Sequence, residues 1–185
     1  QLDAGQFAQV HRSVLVNLRA ISHVTRGPNE TAQIHLKDRA DQNALIWVST
    51  EVDQEVTFSF RQLHAEVQRM AACLIELGVK KGDRVLIYMP MIPEAAFAML
   101  ACARIGALHS VVFGGFAANE LAVRIDDCTP KAIIAASCGL EPGRTVHYKP
   151  LVDAAIDQAS HKPDFCVILQ REQAKAKMLP GRDHD

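Results

Sequence analysis

From about residue 41 the spacing of apolar positions alternates between two periods. RVLIYM at 84–89 is apolar at every position after its arginine, as in a strand covered on both faces of a sheet. LHSVVF (108–113), KAIIAAS (131–137) and FCVILQ (165–170) read as further strands. Between them the period becomes helical. Ser59 is placed to cap a helix, with Gln62 at the capping-box position. Leu63, Val67, Met70, Leu74 and Leu77 then share one helical face, and Gly78 ends the helix. Pro90 closes the RVLIYM strand, Pro93 suits the first turn of a helix over EAAFAMLACARI, and Gly106 stops it. AANELAVRIDD and YKPLVDAAIDQA predict two more helices, and ALIWVS predicts a strand that EVTF can pair with.

Four apolar strands alternating with helices at short spacing predict βαβ units. The fold expected is α/β, a partial, mostly parallel sheet flanked by helices. Residues 1–39 have a different character. VLVNL and AQIHL are short apolar-rich strands, and GPNE between them is turn chemistry. That hairpin-like piece is too small to bury a core alone. Two domains are therefore expected, a β-rich segment over 1–39 and an α/β part over 40–185.

The 185 residues are 49% hydrophobic and 22% charged, with formal net charge -1. This balance suits an ordinary globular core and argues against a chain-wide electrostatic footprint for nucleic acid or membrane. No run approaches 18 apolar residues, and the start lacks the form of a signal peptide, so a cytoplasmic protein is expected. The first residue is Gln, which implies that the true N-terminus precedes it. Cys73, Cys102, Cys128, Cys138 and Cys166 form no CxxC and have no histidine at metal spacing. Buried free thiols are expected, and no metal site.

In a parallel sheet, ligands bind beyond the carboxyl ends of the strands. Two loops in such places stand out. Phe113-Gly114-Gly115 follows a strand. Its glycines allow close backbone approach or positive φ, and its phenylalanine can pack on a flat ring. The same residues also suit a tight strand-to-helix turn with a core phenylalanine. Glu141-Pro142-Gly143-Arg144 is turn chemistry from which a guanidinium projects, suited to a phosphate. It also suits a solvated surface turn. Arg124-Ile125-Asp126-Asp127 reads as a helix end with a cap or ion pair, and His109 as a core histidine. Trp47 and Met89-Pro90-Met91 read as packing and turn. Tyr148-Lys149 reads as a solvated helix start.

The stretch GDRVLIYMPMIPEAAFAMLACARIGALHSVVFGGFAANELAVRIDD resembles the AMP-forming acyl-CoA synthetases of the short-chain branch. ASCGLEPGRTVHYKPLVDAAIDQASHKPDFCVILQR is closer to propionate–CoA ligases than to acetate ones, and MLPGRDHD is also similar to that subgroup. The resemblance covers about residues 41–185. It implies a two-step reaction, in which a short-chain carboxylate and ATP give an acyl-adenylate that is transferred to coenzyme A, with magnesium bridging the ATP phosphates. It also implies that Phe113, Gly114 and Gly115 hold the adenine end of coenzyme A, and that Glu141, Pro142, Gly143 and Arg144 meet its 3′-phosphate. Acetate-type relatives often carry a second arginine where this chain has Glu141. That departure puts the role of Glu141 in doubt and leaves Arg144 as the phosphate contact.

The family's Ser/Thr/Gly-rich phosphate loop, its aromatic–Thr–Glu motif, its ribose-binding aspartate and its catalytic lysine are not among these residues. No catalytic residue is therefore assigned. ATP and magnesium are expected at sites outside this chain, and the polypeptide is not expected to turn over alone. An incomplete sheet exposes apolar edges, so self-association is expected. Residues 1–38 resemble part of a LytTR-type DNA-binding domain, with HRSVLVNL the specific stretch. That resemblance makes Arg12 a DNA contact in an alternative reading. Half the module is missing, so nucleic acid is not the expected partner.

Overall fold

The structure, a computed structural model, describes residues 7–11, 14–17, 21–26, 32–36, 39–49 and 51–185, with side chains from residue 39 onward except at 50 and 113. The chain divides into two compact units, Gln1–Gln42 and Asn43–Asp185. In the first, β1 (Phe7–His11) pairs antiparallel with β2 (Val14–Asn17), and β3 (Ile21–Arg26) with β4 (Ala32–Leu36). This corrects the expected hairpin. VLVN pairs with the strand before it, and AQIHL pairs with ISHVTR. Polar residues dilute the ISHVTR pattern, but its β-branched Ile21, Val24 and Thr25 suit a strand. The expected turn at GPNE lies outside the described residues, as does Arg12.

The second unit begins with a hairpin, β5 (Asn43–Ser49) and β6 (Gln54–Ser59). The Ser59 cap of α1 (Phe60–Glu76) forms as expected. Ser59 Oγ accepts from the Gln62 N–H at 3.2 Å, and Gln62 Oε1 accepts from the Ser59 N–H at 2.8 Å. The chain continues through β7 (Arg84–Met89), α2 (Pro93–Ile105), β8 (Leu108–Phe113), α3 (Ala118–Cys128) and β9 (Ala132–Ala136). A second hairpin follows, β10 (Cys138–Glu141) and β11 (Arg144–His147), then α4 (Tyr148–Gln158), β12 (Phe165–Leu169) and β13 (Asp183–His184). Gly106 ends α2 at φ +76, the left-handed conformation that favours glycine.

The main sheet is parallel, with strand order β13-β12-β9-β7-β8. Residues 85–88 of β7 and most of β9 are completely buried, so both faces of the sheet are covered. α1 packs on α2, and α3 packs on α4. The chain moves outward from β7 to β8, then crosses back to β9 on the other side of β7. This reversal opens a crevice at the carboxyl ends of β7, β8 and β9.

Two expectations fail here. His109 is exposed rather than buried in the core, because β8 is the outer strand of the sheet. Tyr148 and Lys149 are not solvated. They are 6% and 1% exposed. Lys149 Nζ reaches both carboxylate oxygens of Asp153 at 2.6 and 2.7 Å and Asp183 Oδ2 at 2.8 Å. Arg182 Nε reaches Asp183 Oδ1 at 2.8 Å, and its guanidinium also meets Asp153. This group of two cations and two anions fastens β13 to α4. Burial alone would raise the carboxyl of Asp183, but hydrogen bonds from Arg182 and Lys149 outweigh it and hold it below the usual range.

The Arg124–Asp127 reading holds in part. Asp126 accepts the His161 N–H at 2.8 Å, joining the end of α3 to the loop before β12. All five cysteines are free, and Cys102, Cys138 and Cys166 are buried. Burial pushes the Cys102 thiol up to about 11 and Cys166 up to about 12. Neither supplies a thiolate nucleophile near neutral pH.

Candidate functional site

The two loops singled out from the sequence come together. Gly114, Gly115, Phe116 and Ala117 form one wall of a cavity of about 450 Å³. Glu141, Arg144, Thr145, Val146 and His147 from the β10–β11 hairpin form the other, with Leu151 of α4 beside them. A cavity of about 510 Å³ adjoins it, sharing Gly114, Gly115 and Glu141 and extending to Met89, Met91 and Glu51. Both lie at the carboxyl ends of the strands, where the crossing point predicts a ligand. A separate cavity of about 540 Å³ between α1 and α2 is lined by Lys80, Lys81 and Arg104. It lies at the opposite end of the sheet, and its cations sit near helix C-termini, where positive charge complements the helix dipole.

Gly143 takes φ +78, which allows the two-residue turn from Glu141 to Arg144. Arg144 projects from it with its side chain 70% exposed. Its Nε and Nη2 both donate to Glu141 Oε2, at 2.8 and 2.6 Å. Pro142 lies in the same turn. Phe113 ends β8 opposite Met89 in the register, and its side chain is outside the described residues.

The glycine of the first loop is explained by an approach within the protein. Gly114 has no positive φ. A Cβ built there would stand 2.4 Å from the Tyr148 hydroxyl and 2.9 Å from the ring carbon bearing it. A Cβ at Gly139 of β10 would stand 2.7 Å from the same hydroxyl. Tyr148 is therefore wedged between the two loops and sets their separation. Its ring lies 5.0 Å from that of Tyr88, whose hydroxyl donates to the Phe116 carbonyl at 2.7 Å and the Gly114 carbonyl at 3.3 Å. Burial, then the charges of Glu51 and Glu141, raise the Tyr148 phenol. Burial and Tyr148 push Tyr88 up to about 12. Both phenols stay protonated at neutral pH, as the donor role of Tyr88 requires.

A buried ion pair supports the hairpin from below. Arg171 Nη2 meets Glu51 Oε2 at 2.8 Å, and Arg171 Nη1 donates to the Cys138 carbonyl at 3.0 Å. Glu51 Oε1 accepts the Leu140 N–H at 3.2 Å. Trp47 Nε1 donates to the Met91 carbonyl at 2.8 Å, bringing β5 against the turn after β7. Sequence reasoning missed Tyr88, Gly139, Glu51 and Arg171. One signal was available, since the chain has only two tyrosines and both stand at this site.

The arrangement can bind but holds no reactive constellation. Among the described residues it offers one guanidinium, exposed backbone at Gly115 beside the buried Gly114, and apolar surface from Phe116, Val146 and Leu151. No group of three or more His, Cys, Asp or Glu among the described residues is arranged to hold a metal ion. No helix among the described residues is long and apolar enough to cross a membrane.

Comparison with known proteins identifies the family. The model of the AMP-binding enzyme family matches residues 32–184. The chain belongs to that family. It is 55% identical over 142 residues to a propionate–CoA ligase of Salmonella typhimurium, covering 77% of this chain and 23% of that protein. It is 52% identical over 149 residues to an acetyl-coenzyme A synthetase of Xanthobacter autotrophicus, covering 80% and 23%. An uncharacterized protein of Pseudomonas aeruginosa is 57% identical over 147 residues, covering 80% and 23%. The chain thus spans about a quarter of the length of these relatives. A second family model, the LytTr DNA-binding domain, matches residues 1–57.

Proposed function

We propose that residues 40–185 are the coenzyme A-facing, N-terminal part of the large domain of a short-chain acyl-CoA synthetase, and that residues 1–39 are a separate LytTR-like segment. In this reading the whole protein joins a short-chain carboxylate to ATP, releasing pyrophosphate. It then transfers the acyl group to the thiol of coenzyme A, releasing AMP. ATP and magnesium bind outside this chain, and the enzyme works in the cytoplasm. One observation carries the reading: Gly114-Gly115 and Arg144 line the same cavity at the strand ends. A 3′-phosphate suits the exposed guanidinium, and an adenine suits the apolar surface beside it. The names of the relatives supply the chemistry of the ligand.

Calorimetric titration of the chain with coenzyme A tests it. Arg144→Ala is expected to weaken binding about tenfold, the loss of one partly exposed charge-assisted contact. Equal affinity of wild type and variant would remove Arg144 from the site. No measurable affinity of wild type would remove the coenzyme A reading itself.

The same proposal includes self-association along the sheet. β8 is an outer strand, and its Leu108 and Val111 are 60% and 52% exposed. Sedimentation should show concentration-dependent dimers that Val111→Lys shifts toward monomer. A monomer at all concentrations would contradict this.

A further inference from the structure

We propose that Glu141 is a specificity-determining residue whose carboxylate competes with the ligand's 3′-phosphate for Arg144, and so lowers the preference for a 3′-phosphorylated nucleotide. The proposal rests on the coenzyme A reading above. Glu141 and Arg144 face each other across the Pro142-Gly143 turn as cross-strand partners. Glu141 Oε2 takes both Nε and Nη2 of the guanidinium, the side-on edge that would also suit a phosphate. Among the described residues, Arg144 is the only arginine or lysine on the wall of this cavity, and Glu141 is on the same wall. The pair is therefore close to neutral as a phosphate dianion meets it.

A phosphate has two ways to engage this guanidinium. It can displace Glu141 from the Nε–Nη2 edge, which costs the existing pair. It can instead take the free Nη1 edge, which leaves two anions on one cation a few ångströms apart. Both are opposed by the charge of Glu141. Glu141→Gln keeps an oxygen that accepts from Arg144 and removes the charge. At such separations, in a partly exposed site, one charge is worth about tenfold in affinity. The alternative role, in which Glu141 helps by holding Arg144 in place, predicts the opposite sign.

The test compares coenzyme A with dephospho-coenzyme A, which lacks only the 3′-phosphate, by calorimetry on the wild-type chain and on Glu141→Gln. The variant is expected to bind coenzyme A about tenfold more tightly and to show steeper salt dependence. Dephospho-coenzyme A should bind both proteins alike. The gain should vanish when Glu141→Gln is combined with Arg144→Ala. The proposal is overturned if Glu141→Gln weakens coenzyme A, leaves it unchanged, or strengthens both ligands equally, and in those cases the coenzyme A reading stands. If wild type binds neither ligand, the coenzyme A reading fails and this inference with it.

Discussion

Lys149→Met is expected to lower the stability of the chain by roughly 3–5 kcal/mol, the usual cost of removing one partner from a buried ion pair. Lys149 is 1% exposed and the side chain of Asp183 is fully buried, so the carboxylate left behind cannot turn to water. Arg182 would then serve both Asp153 and Asp183 alone. Two anions and one cation would remain where the native group is neutral. β13 should loosen from β12, since Asp183 belongs to that short strand and also accepts the Leu179 N–H at 2.7 Å. Urea denaturation at pH 7 measures the loss, and a change below about 1 kcal/mol would show that the group is not holding the fold.

Acid should reveal the same group from the other side. The carboxyl of Asp183 is held below its ordinary value in the folded chain. Its contribution is fully present above the ordinary carboxylate pKa and is lost as pH falls through the lower folded value. The wild-type chain should therefore lose stability as pH falls below the ordinary carboxylate value, and Lys149→Met should lose less on the same acidification. Combining Lys149→Met with Asp183→Asn should cost less than the sum of the two single changes, because the pair is then removed together.

The second large effect is expected at Gly114. Gly114→Ala forces a Cβ to within 2.4 Å of the Tyr148 hydroxyl, and the ring is held by Tyr88 on one side and Gly139 on another. With no room to move, the clash should cost about 2–3 kcal/mol, within the range for overpacking. The Gly114–Gly115 loop should also shift away from Arg144, so the coenzyme A binding proposed above should fall with it. Tyr148→Phe removes the closest atom and leaves contacts of 2.9 and 3.0 Å, so adding it to Gly114→Ala should restore part of the stability. A thermal melt and a coenzyme A titration on the single and double variants read both effects. Additive losses would show that Tyr148 is not the obstacle.

The alternation of RVLIYM, LHSVVF, KAIIAAS and FCVILQ with helical stretches determined the α/β class from sequence alone, because strands covered on both faces must be apolar at consecutive positions. The Ser59–Gln62 cap and the Gly106 stop were legible for a similar reason, since backbone groups at helix ends need partners within three or four residues. The two candidate loops were legible as turns, and the resemblance supplied the proposal of what they hold. Sequence reasoning did not reach the short strands β10, β11 and β13. Four or two residues, each strand with a charge and one with a glycine, carry too little period to be read.

The environment of a side chain was the other thing that only the fold decided. Tyr148 and Lys149 look like a wet helix start because local pattern does not show what packs over it. Their burial comes from Gly114, Gly139, Asp153 and Asp183, residues from 4 to 34 positions away in the chain. His109 errs the other way, since an apolar strand reads as interior until the sheet order places it at an edge. The sequence alone determined which segments become strands and helices and which turns carry a glycine pair or an arginine, because those choices rest on near-neighbour spacing. Tertiary structure alone decided that Gly114 and Arg144 share a cavity, that Tyr148 sets the gap between their loops, and that Glu141 already occupies Arg144, because each depends on contacts between segments distant in the chain or on the conformation of a turn.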